Sequence, residues 1–209
     1  MGKVRAVSEV ATNRKNNADA SGTTKTPVIS VTIAPRGRCY QLAVRIGEQL
    51  ARVSGQDVTY RPHLTLQGVY DHADLDQVTG TVREVAATTL PFTVDVAGVG
   101  LLTSPSDPRM LFLHLNVVKS EPLVDLFGRI RDAVSALGVQ TYPYTREEWV
   151  PHLTVASGRW SRNELDELLR HLQPDIPGCI LPVADVSVNR REESGVWTLV
   201  ERCPFASPS

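Results

Sequence analysis

One heptapeptide pattern occurs twice in this chain and constrains it more than any other feature. Tyr60-Arg61-Pro62-His63-Leu64-Thr65-Leu66 returns as Trp149-Val150-Pro151-His152-Leu153-Thr154-Val155. Each copy reads Pro-His-Leu-Thr followed by an aliphatic residue. On a β-strand, side chains alternate between faces. His63 and Thr65 then share one face, as do His152 and Thr154, while the leucines between them enter a core. With five histidines in 209 residues, a doubled His-hydrophobic-Thr-hydrophobic pattern arises by chance in roughly two of a thousand such compositions. One copy alone reads as a packed strand histidine beside a strand-forming threonine; the repetition carries the functional reading.

The rest of the chain repeats around the motif. A β-branched run, Val28 to Ala34, predicts a strand. Leu42, Ile46 and Leu50 recur at helical spacing and predict a helix over 37–53, ended by Gly55. After the first motif come a helix over 73–87, an alternating strand over 92–102, and a loop of turn formers at 103–108. The second half opens with a strand over 110–118. Ser120 is expected to cap the next helix and Gly138 to close it. After the second motif, Ser161 and Glu164 form a capping-box pattern. Strands over 180–188 and 196–202 follow, joined by a hairpin at 192–195. Each half thus runs strand, helix, His strand, helix, strand, with an Asp-Val step in the last strand at Asp95-Val96 and at Asp185-Val186. Period and motif together predict an α+β, bilobal, pseudo-two-fold fold. Each lobe is expected to hold an antiparallel sheet with outer helices around a central cleft. The expected halves are about 27–103 and 109–205, within one domain over 27–209. Residues 1–26 carry five Lys/Arg and two Asp/Glu and no apolar periodicity, which reads as a disordered tail without a secretory signal.

The doubled motif resembles that of the 2H phosphoesterase superfamily, the 2′-5′ RNA ligase-like proteins. Their signature is two His-x-Thr/Ser-x motifs, here His63-Leu64-Thr65-Leu66 and His152-Leu153-Thr154-Val155. The resemblance covers about 27–203. It implies a bilobal α+β fold and metal-free, cofactor-free chemistry on RNA ends, cyclic nucleotides or 2′-5′ linkages. It also implies His152 as base and His63 as acid. A cytoplasmic cyclic phosphodiesterase or related hydrolase is the leading expectation. An RNA 2′-5′ ligase and a binding module of the same fold without turnover are the alternatives.

The residue types suit that chemistry. Cleaving a phosphodiester needs a base on the attacking oxygen, an acid on the leaving oxygen, and donors for the phosphoryl charge. Two imidazoles supply base and acid near neutral pH. The hydroxyls of Thr65 and Thr154 supply donors. Arg61 shares the His63 face and is a candidate phosphate ligand; the second motif has Val150 there. Tyr142 and Tyr144 are candidates for stacking a base, whereas Trp149 reads as core. Arg159 and Arg162 are placed after the second motif as cleft or surface charges. His72, His114 and His171 lack the motif and read as ordinary structural residues.

Other classes fit less well. A net charge of −1 gives no global basic field for long nucleic acid, so an RNA terminus or a small nucleotide is the expected partner of a monomeric protein. No apolar run reaches the roughly 18 residues of a membrane span. Neither motif contains an Asp or Glu for a hard cation, and two histidines without a third ligand make a poor zinc site. Cys39, Cys179 and Cys203 lie far apart without C-x-x-C spacing; they read as idle thiols of a reducing compartment.

Overall fold

The computed structural model describes residues 27–54, 61–70, 73–103, 107, 109–172 and 178–207. The expected tail at 1–26, His72 and Gly55 lie outside the described residues. β1 (Ile29–Ile33) leads into α1 (Gly37–Ser54), β2 (His63–Val69), α2 (Leu75–Ala87) and β3 (Phe92–Thr103). The second half runs β4 (Leu111–Val117), α3 (Glu121–Ser135), β5 (His152–Gly158), α4 (Arg162–Leu172), β6 (Cys179–Val183), β7 (Asp185–Arg191) and β8 (Trp197–Pro204). The fold is α+β, with the strands antiparallel in one continuous order, β6-β3-β4-β5-β2-β1-β7-β8.

That order adds something the repeat did not reveal. One strand of each half crosses into the other: β3 of the first half pairs with β4, and β7 of the second half pairs with β1. Each four-strand block, β6-β3-β4-β5 or β2-β1-β7-β8, is therefore interleaved from both halves of the chain. The blocks meet where β2 and β5 pair in two registered steps, His63↔Thr154 and Leu64↔Leu153. The strand expected over 180–188 is two strands in different blocks, parted at Ala184. Pro182 fits because β6 is an edge strand, where a missing N–H breaks no ladder.

Helices cover one face of the sheet. α1 lies over β5 and β6 with α4 packed against it, while α3 lies over β2 and α2 over β7 and β8. The leucines of both motifs point into this layer: Leu64, Leu66 and Leu153 are essentially fully buried, as is Val155. Val96 and Val186 of the two Asp-Val steps enter the same core. Local signals act as the chemistry requires. Asp74 accepts from the N–H groups of Asp76 and Gln77 and starts α2. Ser161 and Glu164 exchange both capping-box bonds, at 2.7 and 3.3 Å. Gly138 takes φ 74° after α3, a left-handed conformation that favours glycine. Ser120 occupies the N-cap of α3, but its hydroxyl makes no cap bond.

The cysteine reading is overturned. Cys39, in the first turn of α1, is disulfide-bonded to Cys179, the first residue of β6, with their Cα atoms 5.6 Å apart. Their separation of 140 residues hid the pairing, because only the packing of α1 against β6 brings them together. Cys203 alone is a free thiol. Among the described residues, no helix is long and apolar enough to cross a membrane.

Candidate active site

The seam between the blocks is built from the two motifs themselves. His63 lies opposite Thr154, and the same register carried one step further sets Thr65 against His152. Directly opposed residues share a face, so all four side chains stand on the face away from the helices. The two imidazoles occupy one diagonal of this quartet and the two hydroxyls the other. Cross-strand diagonals span about 7–8 Å, a width that admits one phosphate. The flanking strands continue the rows: Thr32 of β1 lies beside Thr65, and on β4 His114 lies beside Thr154 and Asn116 beside His152.

The two rings are held alike. His63 Nδ1 lies 2.9 Å from the Arg61 carbonyl oxygen, and His152 Nδ1 lies 2.8 Å from that of Val150. A carbonyl only accepts, so Nδ1 carries the proton of each neutral ring, and Nε2 is the basic nitrogen. The proline after each of these carbonyls favours an extended residue before it and so helps set this short return contact.

Burial depresses both imidazoles below their ordinary value. For His63, desolvation is the main cause; the Arg61 carbonyl opposes it and the charge of His152 adds to it. For His152, desolvation again leads, opposed by the Val150 carbonyl. The electrostatic link between the rings means that charging one disfavours charging the other.

The other candidates divide. Arg61 is exposed immediately before β2, and its carbonyl rather than its guanidinium makes the described contact. The ring of Tyr142 lies against Gly68: a Cβ there would fall 2.7 Å from its Cε2. Gly68 pairs with Ser30 on the quartet's face, about 10 Å along the strand from Thr65. Tyr142 meets Tyr70 edge-on at 5.4 Å, and Tyr144 tilts against it at 6.0 Å. Tyr144 is exposed, so this aromatic wall has an open end. Arg159 is not brought to the quartet. It stands seven residues beyond His152, about 23 Å along an extended strand, and its guanidinium is held by Asp107 at 2.6 and 3.0 Å. Arg162 is an exposed residue of α4. Trp149 is core as expected. It stacks on Phe127 at 4.2 Å, and its Nε1–H donates to the Thr65 carbonyl oxygen at 3.3 Å.

The sequence reading missed His114. It is buried, with its ring centroid 5.1 Å from that of His152. Burial first, and the charge of His152 second, push it down to about 4. The sequence signal was two glycines at alternate positions, Gly98 and Gly100, but their meaning needs the register of β3 against β4.

The family model described as the 2′-5′ RNA ligase superfamily matches residues 59–195, more than half the chain and both motifs. No curated protein matches the chain. Solved structures share the fold at low identity. TT0787 of Thermus thermophilus has a TM-score of 0.63 at 16% identity, over 87% of this chain and 100% of that one. Escherichia coli LigT complexed with 3′-AMP has a TM-score of 0.58 at 13% identity, over 87% and 99%. A structure described as a phosphoesterase has a TM-score of 0.56 at 14% identity, over 87% and 99%.

Proposed function

The chain belongs to the 2′-5′ RNA ligase superfamily, and on that premise we propose that it is a metal-independent phosphoesterase. Its substrates are 2′,3′-cyclic phosphates of RNA ends or nucleotides, or 2′-5′ linkages, acted on by one chain without a cofactor. The observation that carries this reading is the register His63↔Thr154, which sets two Nδ1-anchored imidazoles diagonally across a pair of hydroxyls.

In this reading His152 Nε2 takes a proton from water as its oxygen attacks phosphorus. His63 Nε2–H gives a proton to the ribose oxygen as its bond to phosphorus breaks. One proton enters and one leaves, so the next turnover needs only proton exchange. Thr65 and Thr154 donate to the non-bridging oxygens, where negative charge builds. The bound anion favours the imidazolium form of His63, offsetting the desolvation that opposes it. Tyr142 and Tyr144 offer a stacking surface to a base about one nucleotide from the quartet. The LigT complex with 3′-AMP supports a ligand of nucleotide size. Among the described residues, no three His, Cys, Asp or Glu side chains are grouped to hold a metal ion.

The test is a panel of 2′,3′-cyclic mononucleotides, RNA ends bearing a cyclic phosphate, and 2′-5′ oligoadenylates, assayed after exhaustive chelation and dialysis. Turnover that His63→Ala and His152→Ala each abolish is expected. Turnover that vanishes on chelation and returns with Mg²⁺, Mn²⁺ or Zn²⁺ would overturn the proposal, as would a fully active single His variant. Joining of RNA ends without hydrolysis would identify a ligase using the same four groups in reverse.

A further inference from the structure

The two motifs are pseudo-equivalent, but the strands beside them are not. The residue next to Thr65 is Thr32, and the residue next to Thr154 is His114. Thr32 is tied down by a hydrogen bond from Asn189 Nδ2 at 3.0 Å. On His114, Nδ1 is buried without a hydrogen-bond partner, and the Leu115 backbone gives the ring only a minor opposing interaction. Shape holds the ring. A Cβ on Gly100 would fall 2.5 Å from His114 Cε1, 2.7 Å from its Nε2 and 2.9 Å from Asn116 Oδ1. The missing side chain at Gly100 is thus the seat into which the imidazole folds. One side of the ring rests on this glycine of β3, and the ring also leans on His152, with centroids 5.1 Å apart and planes inclined at 58°.

The groups around His152 are few. From β4 it faces His114 and Asn116; from β2, across the seam, it faces Thr65 and, on the diagonal, His63. Beyond β4, β3 offers only Gly98 and Gly100 against Asn116 and His114. Among the described residues, His63 and His114 are therefore the titratable neighbours of His152, and His114 is the one in ring contact with it.

We propose that His114 is a positioning residue for the reaction: wedged between Gly100 and the His152 ring, it fixes the orientation of that ring and keeps water from one flank of it. The proposal rests on the reading of His152 as proton acceptor. A base must be neutral to act, and removing water from an imidazole favours its neutral form. The ring is used as a wall, not as a proton carrier. Burial holds His114 down at about 4, so it stays neutral where His152 must exchange protons.

The experiment uses the full chain labelled at histidine, with the Cε1–H resonance of His152 followed by NMR across pH 4–9 in His114→Ala and His114→Phe. Removing the wall in the alanine variant should raise the His152 midpoint toward its ordinary value by about half a unit or more. The acidic limb of kcat/KM on a cyclic nucleotide should move with it. Phenylalanine rebuilds the wall without a titratable group and should restore both. An unmoved His152 midpoint in His114→Ala overturns the proposal. So does a phenylalanine variant displaced as far as the alanine one, since the imidazole's own nitrogens would then be what matters. If the alanine variant does not fold, Gly100→Ala takes its place: the added Cβ drives the ring off its seat, and an unmoved midpoint again overturns the proposal. The NMR readout needs no turnover. A wild-type protein that is inactive on every substrate, yet shows the shift on removing His114, sinks the phosphoesterase reading and leaves only the effect of the His114 wall on the His152 ring.

Discussion

The disulfide between Cys39 and Cys179 makes a sharp quantitative prediction. The bond closes a loop of 140 residues. In the chain-entropy description, opening a loop of that length returns roughly 5 kcal/mol of freedom to the denatured chain. For a chain of about 200 residues, each kcal/mol moves the melting midpoint by about 2–4 °C, so reduction should lower it by roughly 10–20 °C. The comparison is calorimetry with and without reductant, alongside Cys39→Ala/Cys179→Ala under both conditions. The double variant should melt low in each and ignore the reductant. Cys203 is the internal control. It is the free cysteine of the chain, and burial above all pushes its thiol up to about 11. Thiol titration of unreduced, denatured protein should count one group, rising to all three cysteines after reduction. Activity at 25 °C should be unchanged, because the bond ties α1 to the outer strand β6, with β3 and β4 between it and the motif strand β5. Three thiols counted before reduction, or a melting midpoint indifferent to reductant, would refute the reasoning.

Other outcomes follow from the same geometry. Both motif imidazoles are depressed. The base is active above its midpoint and the acid below its own, so the bell-shaped kcat/KM profile should peak on the acid side of pH 6.5; a maximum well above neutrality contradicts this. His63→Ala and His152→Ala should each cost at least about 10² in kcat/KM, and the double variant little more, because acid and base act as a unit; multiplicative losses would show independent roles. His114 binds a proton near 6.5 when unfolded but only at about 4 when folded. The folded state is therefore penalised increasingly as pH falls from 6.5 toward 4, by roughly 3 kcal/mol in all. Urea unfolding of His114→Phe should lack most of that acid-side loss. Trp149→Phe should keep the stack on Phe127 and lose the bond to the Thr65 carbonyl, costing about 1 kcal/mol, whereas Trp149→Ala should cost about 3–5 kcal/mol; equal losses would show that the stack contributes nothing.

Much of this arrangement was legible in the residues. Alternation and helical spacing placed β2, β5, α1 and α3 within a few residues, because each element buries one face and its pattern records which. The quartet was legible for the same reason: His63 and Thr65 are two apart on one strand. Partnership between strands was not. Nothing local says that Phe92–Thr103 joins β4, or that an alternating run from Ile180 to Val188 is two strands in separate blocks. Both depend on contacts far apart in sequence, as does the cysteine pair. His114 failed for a related reason. Its environment is made by Gly100 and His152, which come from two other strands. Arg159 looked close to the motif by residue number, yet an extended strand carries it about 23 Å away.

The interleaving of β3 and β7 bears on what one repeat is worth alone. A fragment ending before β4 holds β1, β2 and β3, but β3 has its partners, β4 and β6, in the other fragment. Neither piece can complete a block, so co-expressed halves should recover the site only by associating. Two copies of one repeat about a true two-fold axis would rebuild the same central seam from identical strands. Such a dimer would be bound by its symmetry: both rings would have identical neighbours and identical proton affinity. A single covalent chain releases that constraint, allowing Thr32 on one side and His114 on the other, and with them two histidines with different work to do.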